Sequence, residues 1–265
     1  MTEKNSILSL KNVSIGYKQN QDENILLKNL SLEIENGKLI CIIGRNGIGK
    51  STLIKTISGM HKPINGNIFI DGIDVHLAPA KILASKISMV YTDKVDAENL
   101  SVYDLIAMGR YPYLSWLGIL SNNDEGIVNK AISLSGIEKL KNRNITTLSD
   151  GERQKAMIAR AIVQDTSIIL LDEPTSHLDI SGRLDVFITL KKLCQQENKT
   201  ILLSTHQLDC ALQFADEIWL ISSDQEFISG HPKDAIITHA IGTEFNSNHL
   251  NFDAESGVFR YHYQI

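Results

Sequence analysis

The chain of 265 residues is 43% hydrophobic and 22% charged, which is typical of a soluble globular protein. Its formal net charge of −5 argues against nucleic acid as the main partner, because contacts to a phosphate backbone usually require a basic face. No uncharged apolar stretch approaches the roughly 20 residues of a membrane-spanning helix, and residues 1–6 lack the apolar core of a signal peptide. These features favour a cytoplasmic protein that meets a membrane only at its surface.

The three cysteines, Cys41, Cys194 and Cys210, have neither paired spacing nor the spacing of metal ligands. Cys41 lies inside an apolar run, where a thiol is typically buried. We therefore expect three buried thiols in a reducing compartment.

The first elements are predicted from hydrophobic periodicity. Residues 7–32 alternate between apolar and polar side chains, which predicts antiparallel strands joined by a hairpin. The apolar run 39–43 predicts a buried strand, and residues 52–60 predict a helix. The chain therefore begins with an antiparallel region that leads into a strand and a helix.

Between that buried strand and that helix lies a glycine-rich segment. Gly44, Gly49, Lys50 and Ser51 fill the phosphate-binding pattern G-x-x-x-x-G-K-[ST], and we call residues 44–51 the phosphate loop. Glycines let backbone N–H groups converge on phosphates, and the following helix directs its positive N-terminal end to the same place. In this pattern the lysine reaches the β and γ phosphates and the serine hydroxyl binds Mg²⁺. The segment predicts a nucleotide-binding site.

The middle of the chain changes from strands to helices. A short strand is expected at residues 67–70, between the turn-forming pairs Asn65-Gly66 and Asp71-Gly72, and another strand at residues 87–91. Residues from about 96 to 165 show helical patches with polar breaks. We interpret this stretch as an inserted helical subdomain.

After the insert, helices alternate with short apolar strands. Helices are predicted at residues 151–163 and 183–194, and strands at residues 168–171 and 200–204. Continuous apolar strands between helices indicate parallel strands that are covered on both faces. The predicted fold class is α/β, a P-loop NTPase core with a mixed sheet, an N-terminal antiparallel β subdomain and the helical insert.

Two adjacent carboxylates, Asp172 and Glu173, end the apolar strand at residues 168–171. Active-site groups in α/β sheets lie at such strand ends. One carboxylate can hold the Mg²⁺ that bridges the phosphates, and the other can orient and deprotonate the attacking water. Alone, the pair is equally consistent with a strand that ends in a polar turn, but the phosphate loop favours the catalytic interpretation.

A second helix start carries glycine and a cap. Ser149 and Glu152 fit the capping box [ST]-x-x-[DE], with Gly151 between them. A capped helix start is the simplest interpretation. A glycine-containing helix N-terminus is also a second phosphate-binding device.

In this combination and order, the motifs resemble the ATP-binding subunit of ABC transporters. Residues 44–51 match its Walker A loop, residues 168–173 its Walker B strand, and residues 148–152, the signature segment, its signature motif. Residues 176–179 look like its D-loop, and Thr205-His206 resembles its switch histidine. The similarity spans about residues 8–230.

The resemblance implies a head-to-tail dimer in which each ATP lies between the phosphate loop of one copy and the signature segment of the other. It implies Glu173 as catalytic base, with His206 and Lys50 at the γ-phosphate, and Ser51 and Asp172 on Mg²⁺. The residues implied in nucleotide binding are Tyr17, which would stack on adenine, Gly44, Asn46, Gly47, Gly49, Lys50, Ser51 and Thr52. The residues implied at the partner copy's ATP are Leu148, Ser149, Asp150, Gly151 and Glu152, with Asp179 in the D-loop.

Two positions depart from the family's pattern. Thr92 stands where a glutamine is usual, and no glutamine occurs between Gln21 and Gln154. A threonine hydroxyl is a shorter candidate ligand for Mg²⁺ or its water. Asp150 replaces a common glycine, and its carboxylate suits a helix N-terminus but must point away from the phosphate.

Residues 100–105 and 109–113 are similar to ATPases of importers for iron-siderophore complexes, haem and cobalamin. The resemblance implies an ATP-hydrolysing, energy-coupling subunit at the cytoplasmic face of the membrane, with ATP and Mg²⁺ as cofactors. Its partners would be a second copy, an integral membrane permease and, indirectly, a substrate-binding protein. The alternatives are a soluble ABC ATPase without a transport role and a nucleotide-sensing regulatory module. We expect an ATPase domain at residues 1–242 and a tail at residues 243–265 that forms a hairpin.

Overall fold

The computed structural model describes residues 6–19, 22–91, 99–116, 118–176, 178–247 and 249–261. The strands in this part of the chain are β1 (Leu8–Gln19), β2 (Asp22–Ile34), β3 (Leu39–Gly44), β4 (Asn65–Ile70), β5 (Ile73–Asp74), β6 (Ile87–Val90), β7 (Ile168–Asp172), β8 (Thr200–Ser204), β9 (Glu217–Ile221), β10 (Phe227–Gly230), β11 (Leu250–Asp253) and β12 (Val258–Tyr261). The α-helices are α1 (Lys50–Ile57), α2 (Ala80–Ala84), α3 (Val102–Ala107), α4 (Asn122–Leu134), α5 (Asp150–Val163), α6 (Ile180–Glu197), α7 (Leu208–Phe214) and α8 (Ala235–Phe245). Short 3₁₀ helices lie at Met108–Tyr113, Glu138–Leu140 and Ile145–Thr147.

The central sheet has the strand order β10-β9-β3-β8-β7-β6. Strands β6, β7, β8, β3 and β9 run parallel, and β10 is antiparallel to β9. The sheet is therefore mixed, as predicted. Because all parallel strands end at one edge, the phosphate loop after β3, the carboxylates after β7 and the segment after β8 meet there.

The continuous apolar runs in these strands have a simple cause. Successive side chains of a strand point to opposite faces, and both faces of this sheet are covered. Leu39, Cys41 and Ile43 of β3 face one core cluster, which also contains the apolar faces of α5 and α6. Ile40 and Ile42 face a second cluster, shared with α1 and the N-terminal strands. A strand buried on both sides shows no polar alternation.

A second, antiparallel sheet has the order β2-β1-β4-β5, which confirms the predicted N-terminal antiparallel region. One local prediction is wrong, because Asn65-Gly66 lies inside β4 and is not a turn. The β1–β4 register shifts between Lys11 and Ser14, and a Cβ at Gly66 would lie 2.4 Å from the Asn12 carbonyl oxygen. Gly66, with a φ of +84° and no Cβ, therefore allows the backbones of β1 and β4 to approach closely at this bulge.

Helix boundaries differ from the prediction in ways that the caps explain. Helix α1 ends at Ile57, three residues before the predicted end, because Gly59 adopts a φ of +83° and terminates it. Helix α6 begins at Ile180, three residues before the predicted start, because the Asp179 side chain accepts from the Gly182 N–H at 2.7 Å.

The segment between β6 and β7 is helical where it is described, with α3 and α4 packed against α5. At the other end of the chain, α8 packs on β9 and β10, and β11 pairs with β12 in an antiparallel hairpin. The predicted domain boundary after residue 242 falls within α8, and the division into domains stays a prediction. No helix in the described segments has the length and apolar character needed to cross a membrane.

Candidate active site

The phosphate loop begins where β3 ends. Gly44, Gly47 and Gly49 all have positive φ, which only glycine adopts without strain. At Gly44 a Cβ would also lie 2.6 Å from the carbonyl oxygen of Ile221, at the end of the neighbouring strand β9. The glycine spacing therefore serves both the turn and the packing of the loop. Asn46 and Gly47 are exposed at its tip.

Lys50 is the first residue of α1, and its side chain folds back under the loop. Its ammonium donates to the carbonyl oxygens of Gly44 at 2.9 Å and Arg45 at 3.0 Å. Burial lowers the pKa of Lys50, and the carboxylates of Glu173 and Asp172 oppose that shift. The two acidic side chains are thus near enough to act electrostatically on the loop lysine.

Asp172 and Ser51 join the end of β7 to the start of α1. The Ser51 hydroxyl donates to Asp172 Oδ1 at 2.9 Å, and the Ser204 hydroxyl donates to the same oxygen at 2.6 Å. Asp172 is buried, so its charge depends on these hydrogen bonds. The predicted pair of magnesium ligands is in direct contact.

Glu173 follows at the sheet edge and is half-buried. Its N–H donates to the Ser204 hydroxyl at 2.9 Å, and its Oε1 lies 2.6 Å from Nε2 of His206. The backbone of Glu173 adopts a φ of +50°, a conformation that costs a non-glycine residue energy and that clusters at functional sites. The structure therefore holds the two candidate catalytic side chains together.

Tyr17 lies beside the helix that follows the loop. Its hydroxyl is 2.7 Å from the Thr52 hydroxyl oxygen, and its ring meets the ring of His61 edge-on at a centroid distance of 6.2 Å. Tyr17 is 46% exposed, so much of the ring is open to a ligand. Thr52 itself is buried.

The signature segment begins α5, and the predicted capping box is confirmed. The Ser149 hydroxyl accepts from the Glu152 N–H at 3.3 Å, and the Glu152 carboxylate accepts from the Ser149 N–H at 2.9 Å. Asp150 forms an ion pair with Arg153 along the helix surface. Leu148 is buried and anchors the helix start. The side chains of Ser149 and Glu152 hydrogen bond to each other, and Glu152 also pairs with Arg143, so these contacts lie within the helical insert.

The remaining predicted positions are Gly151, Asp179 and Thr92. A Cβ at Gly151 would lie 3.2 Å from the Leu178 side chain, so the signature and D-loop segments are neighbours within one copy. Asp179 caps α6 as described above. Thr92 lies outside the described residues, as does His177 of the D-loop segment.

Comparison with known proteins agrees with this geometry. The sequence profile of the family described as "ABC transporter" matches residues 27–176, which is more than half of the chain. The chain belongs to the ABC transporter family. It is an ATPase of the kind that couples ATP hydrolysis to transport.

Individual relatives align with most of this chain. It is 34% identical over 253 residues to an uncharacterized ABC transporter ATP-binding protein of Methanocaldococcus jannaschii, covering 96% of this chain and 86% of the relative. It is 33% identical over 241 residues to the ferric enterobactin transport ATP-binding protein of Escherichia coli, covering 91% and 88%. A solved dimeric ATP-binding cassette, in a post-hydrolysis state bound to ADP and Pi, superposes with a TM-score of 0.74 at 28% identity, covering 85% of this chain and 98% of the other.

This membership confirms the predicted P-loop fold and ATPase activity. ABC cassettes bind ATP, generally with Mg²⁺, and they form dimers that pair with membrane permease components.

The contact between Ser51 and Asp172 fits a magnesium ion. Mg²⁺ prefers hard oxygen ligands and usually keeps several waters beside one or two carboxylates and substrate phosphates. One buried carboxylate and one hydroxyl match that donor set. Among the described residues, no three His, Cys, Asp or Glu side chains are placed so that together they could hold a metal ion. The site suits an ion that arrives with nucleotide.

Sequence analysis did not predict three residues that contact the candidate active site: Ser204, Arg45 and Glu244. Ser204 bridges both Walker B residues, and its signal was a polar residue at the end of an apolar strand. Arg45 and Glu244 form an ion pair across 199 positions, which no local pattern indicates.

Proposed function

We propose that this ABC ATPase is the energy-coupling subunit of an importer for an iron-siderophore complex, haem or cobalamin. The observation that carries the nucleotide site is the convergence of Lys50, Ser51, Asp172, Glu173 and His206 at one sheet edge. The cargo class is supported by relatives that are about one-third identical and whose names specify petrobactin, enterobactin and other siderophores.

In the proposed reaction, water attacks the γ-phosphorus of ATP and the bond to the β,γ-bridging oxygen breaks. Lys50 places its positive charge on the β and γ phosphates, where charge develops. Glu173 accepts the proton of the attacking water. His206 hydrogen bonds to Glu173 at 2.6 Å, and its proposed role is to contact the γ-phosphate. Most of the rate acceleration then comes from positioning and charge stabilisation.

Ser51 and Asp172 would hold Mg²⁺, with Thr92 as a further candidate ligand. When bound, the ion would neutralise negative charge on the phosphates. The present hydrogen bond between Ser51 and Asp172 keeps both oxygens at the site where the ion would bind.

Recognition of the rest of the nucleotide is divided between two copies. Tyr17 stacks on adenine, and the backbone of Gly44, Asn46, Gly47 and Gly49, with Thr52, surrounds the phosphates. The signature segment of the second copy, residues 148–152, completes the γ-phosphate site through Ser149 and Gly151, while the Asp150 carboxylate stays paired with Arg153. Asp179 and its D-loop lie at the same interface. Each chain thus supplies half of two sites.

The membrane partner is an integral permease, and the subunit works at the cytoplasmic face of the membrane. Two aromatic side chains support a docking face on the helical segment, since Tyr111 is 78% exposed and Trp116 is 93% exposed, next to Ala80 and Ala84 of α2. The two aromatics line one groove together with Pro112 and Leu114, and contiguous exposed apolar patches, unlike single exposed residues, mark interaction surfaces. A substrate-binding protein acts through the permease.

The nucleotide site is tested by Lys50→Ala, with Lys55→Ala on the same helix as matched control. Lys50→Ala should weaken binding of fluorescent MANT-ATP at least tenfold, because a buried charge that contacts phosphate is lost. Lys55→Ala should bind as the wild type does. An unchanged affinity of Lys50→Ala would contradict the assignment of residues 44–51 as the phosphate site.

A further inference from the structure

Arg45, which follows Gly44 in the phosphate loop, contacts Glu244 of helix α8 near the C-terminus. Arg45 Nε lies 3.0 Å from Glu244 Oε1, and Arg45 Nη2 donates to the Glu244 carbonyl oxygen at 2.9 Å. The guanidinium therefore binds the side chain and the main chain of one residue at once. Such a forked contact fixes direction as well as distance.

Glu244 is itself held firmly. Its carboxylate accepts from the Ser223 N–H at 2.8 Å and from the Ser223 hydroxyl at 2.6 Å, and it is only 7% exposed. Ser223 lies two residues beyond Ile221, whose carbonyl oxygen packs against Gly44. Glu244 thus binds both the loop and the turn after β9.

The helix that carries Glu244 is anchored in the core. Ile237 and Ile241 of α8 are fully buried in the cluster that covers the central sheet. Glu244 is the penultimate residue of α8, where the last carbonyl groups lack helical partners and a cation is favourable. A fixed helix end therefore presents two acceptors to Arg45.

The backbone of Arg45 continues this connection to the catalytic lysine. The Arg45 carbonyl oxygen accepts from Lys50 Nζ at 3.0 Å. A shift of the Arg45 backbone would move one of the two carbonyl oxygens that hold the Lys50 ammonium. A displaced Lys50 ammonium would bind the phosphates less strongly, because a charge-assisted hydrogen bond depends on its geometry.

We propose that Glu244 is a positioning residue of the nucleotide site, acting through Arg45 to hold the phosphate loop in its binding conformation. The C-terminal helix α8, outside the segment matched by the family profile, is then part of the ATPase site. The inference rests on the proposed role of residues 44–51 in binding the phosphates of ATP.

The test uses the 265-residue chain with Glu244→Gln and Arg45→Ala, alone and combined. Glu244→Gln should raise the dissociation constant for MANT-ATP and the KM for ATP about fivefold, which is about 1 kcal/mol, with kcat within twofold of the wild type. Because Glu244 acts through Arg45, the double variant should bind ATP no more weakly than Arg45→Ala alone.

Asp124→Asn is the matched control for stability. Asp124 accepts from the N–H and hydroxyl of Ser121 and pairs with Arg110 Nε at 2.8 Å, so it repeats the contacts of Glu244 within the helical segment. Asp124→Asn should lower Tm but leave ATP affinity unchanged.

Different results would contradict the role of Glu244 and the role of the phosphate loop. If Glu244→Gln lowers Tm as the control does and leaves ATP affinity unchanged, or if the Arg45 and Glu244 effects add fully, the positioning role is overturned. If Lys50→Ala also leaves ATP affinity unchanged, the proposed phosphate site itself fails.

Discussion

Ser204→Ala removes one hydroxyl that both Walker B residues share. The side chain is fully buried at the end of β8, donates to Asp172 Oδ1 at 2.6 Å and accepts from the Glu173 N–H at 2.9 Å. Asp172 keeps its bond from Ser51, but the Glu173 N–H loses its partner in the variant. The left-handed backbone of Glu173 then loses one of its restraints.

The expected cost follows from these two hydrogen bonds. A hydrogen bond to a charged group contributes roughly 1.5–3 kcal/mol and a neutral one roughly 0.5–1.5 kcal/mol. Ser204→Ala should therefore lower the free energy of unfolding by about 2–4 kcal/mol, and Tm by about 5–15 °C for a protein of this size. ATP turnover should fall about tenfold or more, because Glu173, as the proposed base, would no longer be held in its position.

Ser88→Ala provides the matched control. Ser88 is also buried in the central sheet, on β6, and its hydroxyl lies 3.0 Å from the Thr166 hydroxyl oxygen, away from the carboxylates. Its loss should cost about 1 kcal/mol and leave kcat unchanged. Thermal unfolding and steady-state phosphate release measure both variants. Equal stability and equal turnover in the two variants would refute the reasoning.

Two further predictions concern the adenine contact and the thiols. Tyr17→Ala should weaken ATP binding about tenfold while leaving tripolyphosphate binding unchanged, since stacking on a base contributes roughly 1–3 kcal/mol. The control variant Tyr17→Phe loses only the hydrogen bond to Thr52 and should bind ATP within twofold of the wild type. An equal loss of tripolyphosphate affinity in Tyr17→Ala would argue against stacking. Burial raises the pKa of Cys194 to about 12 and also raises the pKa values of Cys41 and Cys210. The folded protein should therefore not react with DTNB at pH 8, whereas unfolding in urea should expose all three thiols. Rapid labelling without urea would contradict their burial.

The central architecture could be predicted because its signals are local. The apolar run of β3, the glycines after it and the carboxylates after β7 each specify their own conformation, and parallel strands then bring them together. The Ser149 cap was predictable for the same reason, since its partner lies three residues away.

What could not be predicted depends on distant or competing contacts. The bond between Arg45 and Glu244 spans 199 positions, and nothing near either residue indicates the other. Asn65-Gly66 has the composition of a tight turn, yet the pairing of β1 with β4 uses its glycine inside a strand. Helix α8 and strands β9 and β10 also lay outside the predicted elements, although β9 is the strand that packs against the phosphate loop.

The most direct test of the whole account is the oligomeric state of Glu173→Gln with and without ATP. The variant keeps the shape of the side chain but removes the proposed base, so we expect that ATP bound between two copies will not be hydrolysed. Light scattering after size-exclusion chromatography should show a monomer without nucleotide and a stable dimer with Mg-ATP, with turnover nearly abolished. A monomer in Mg-ATP that still hydrolyses ATP at the wild-type rate would contradict the account.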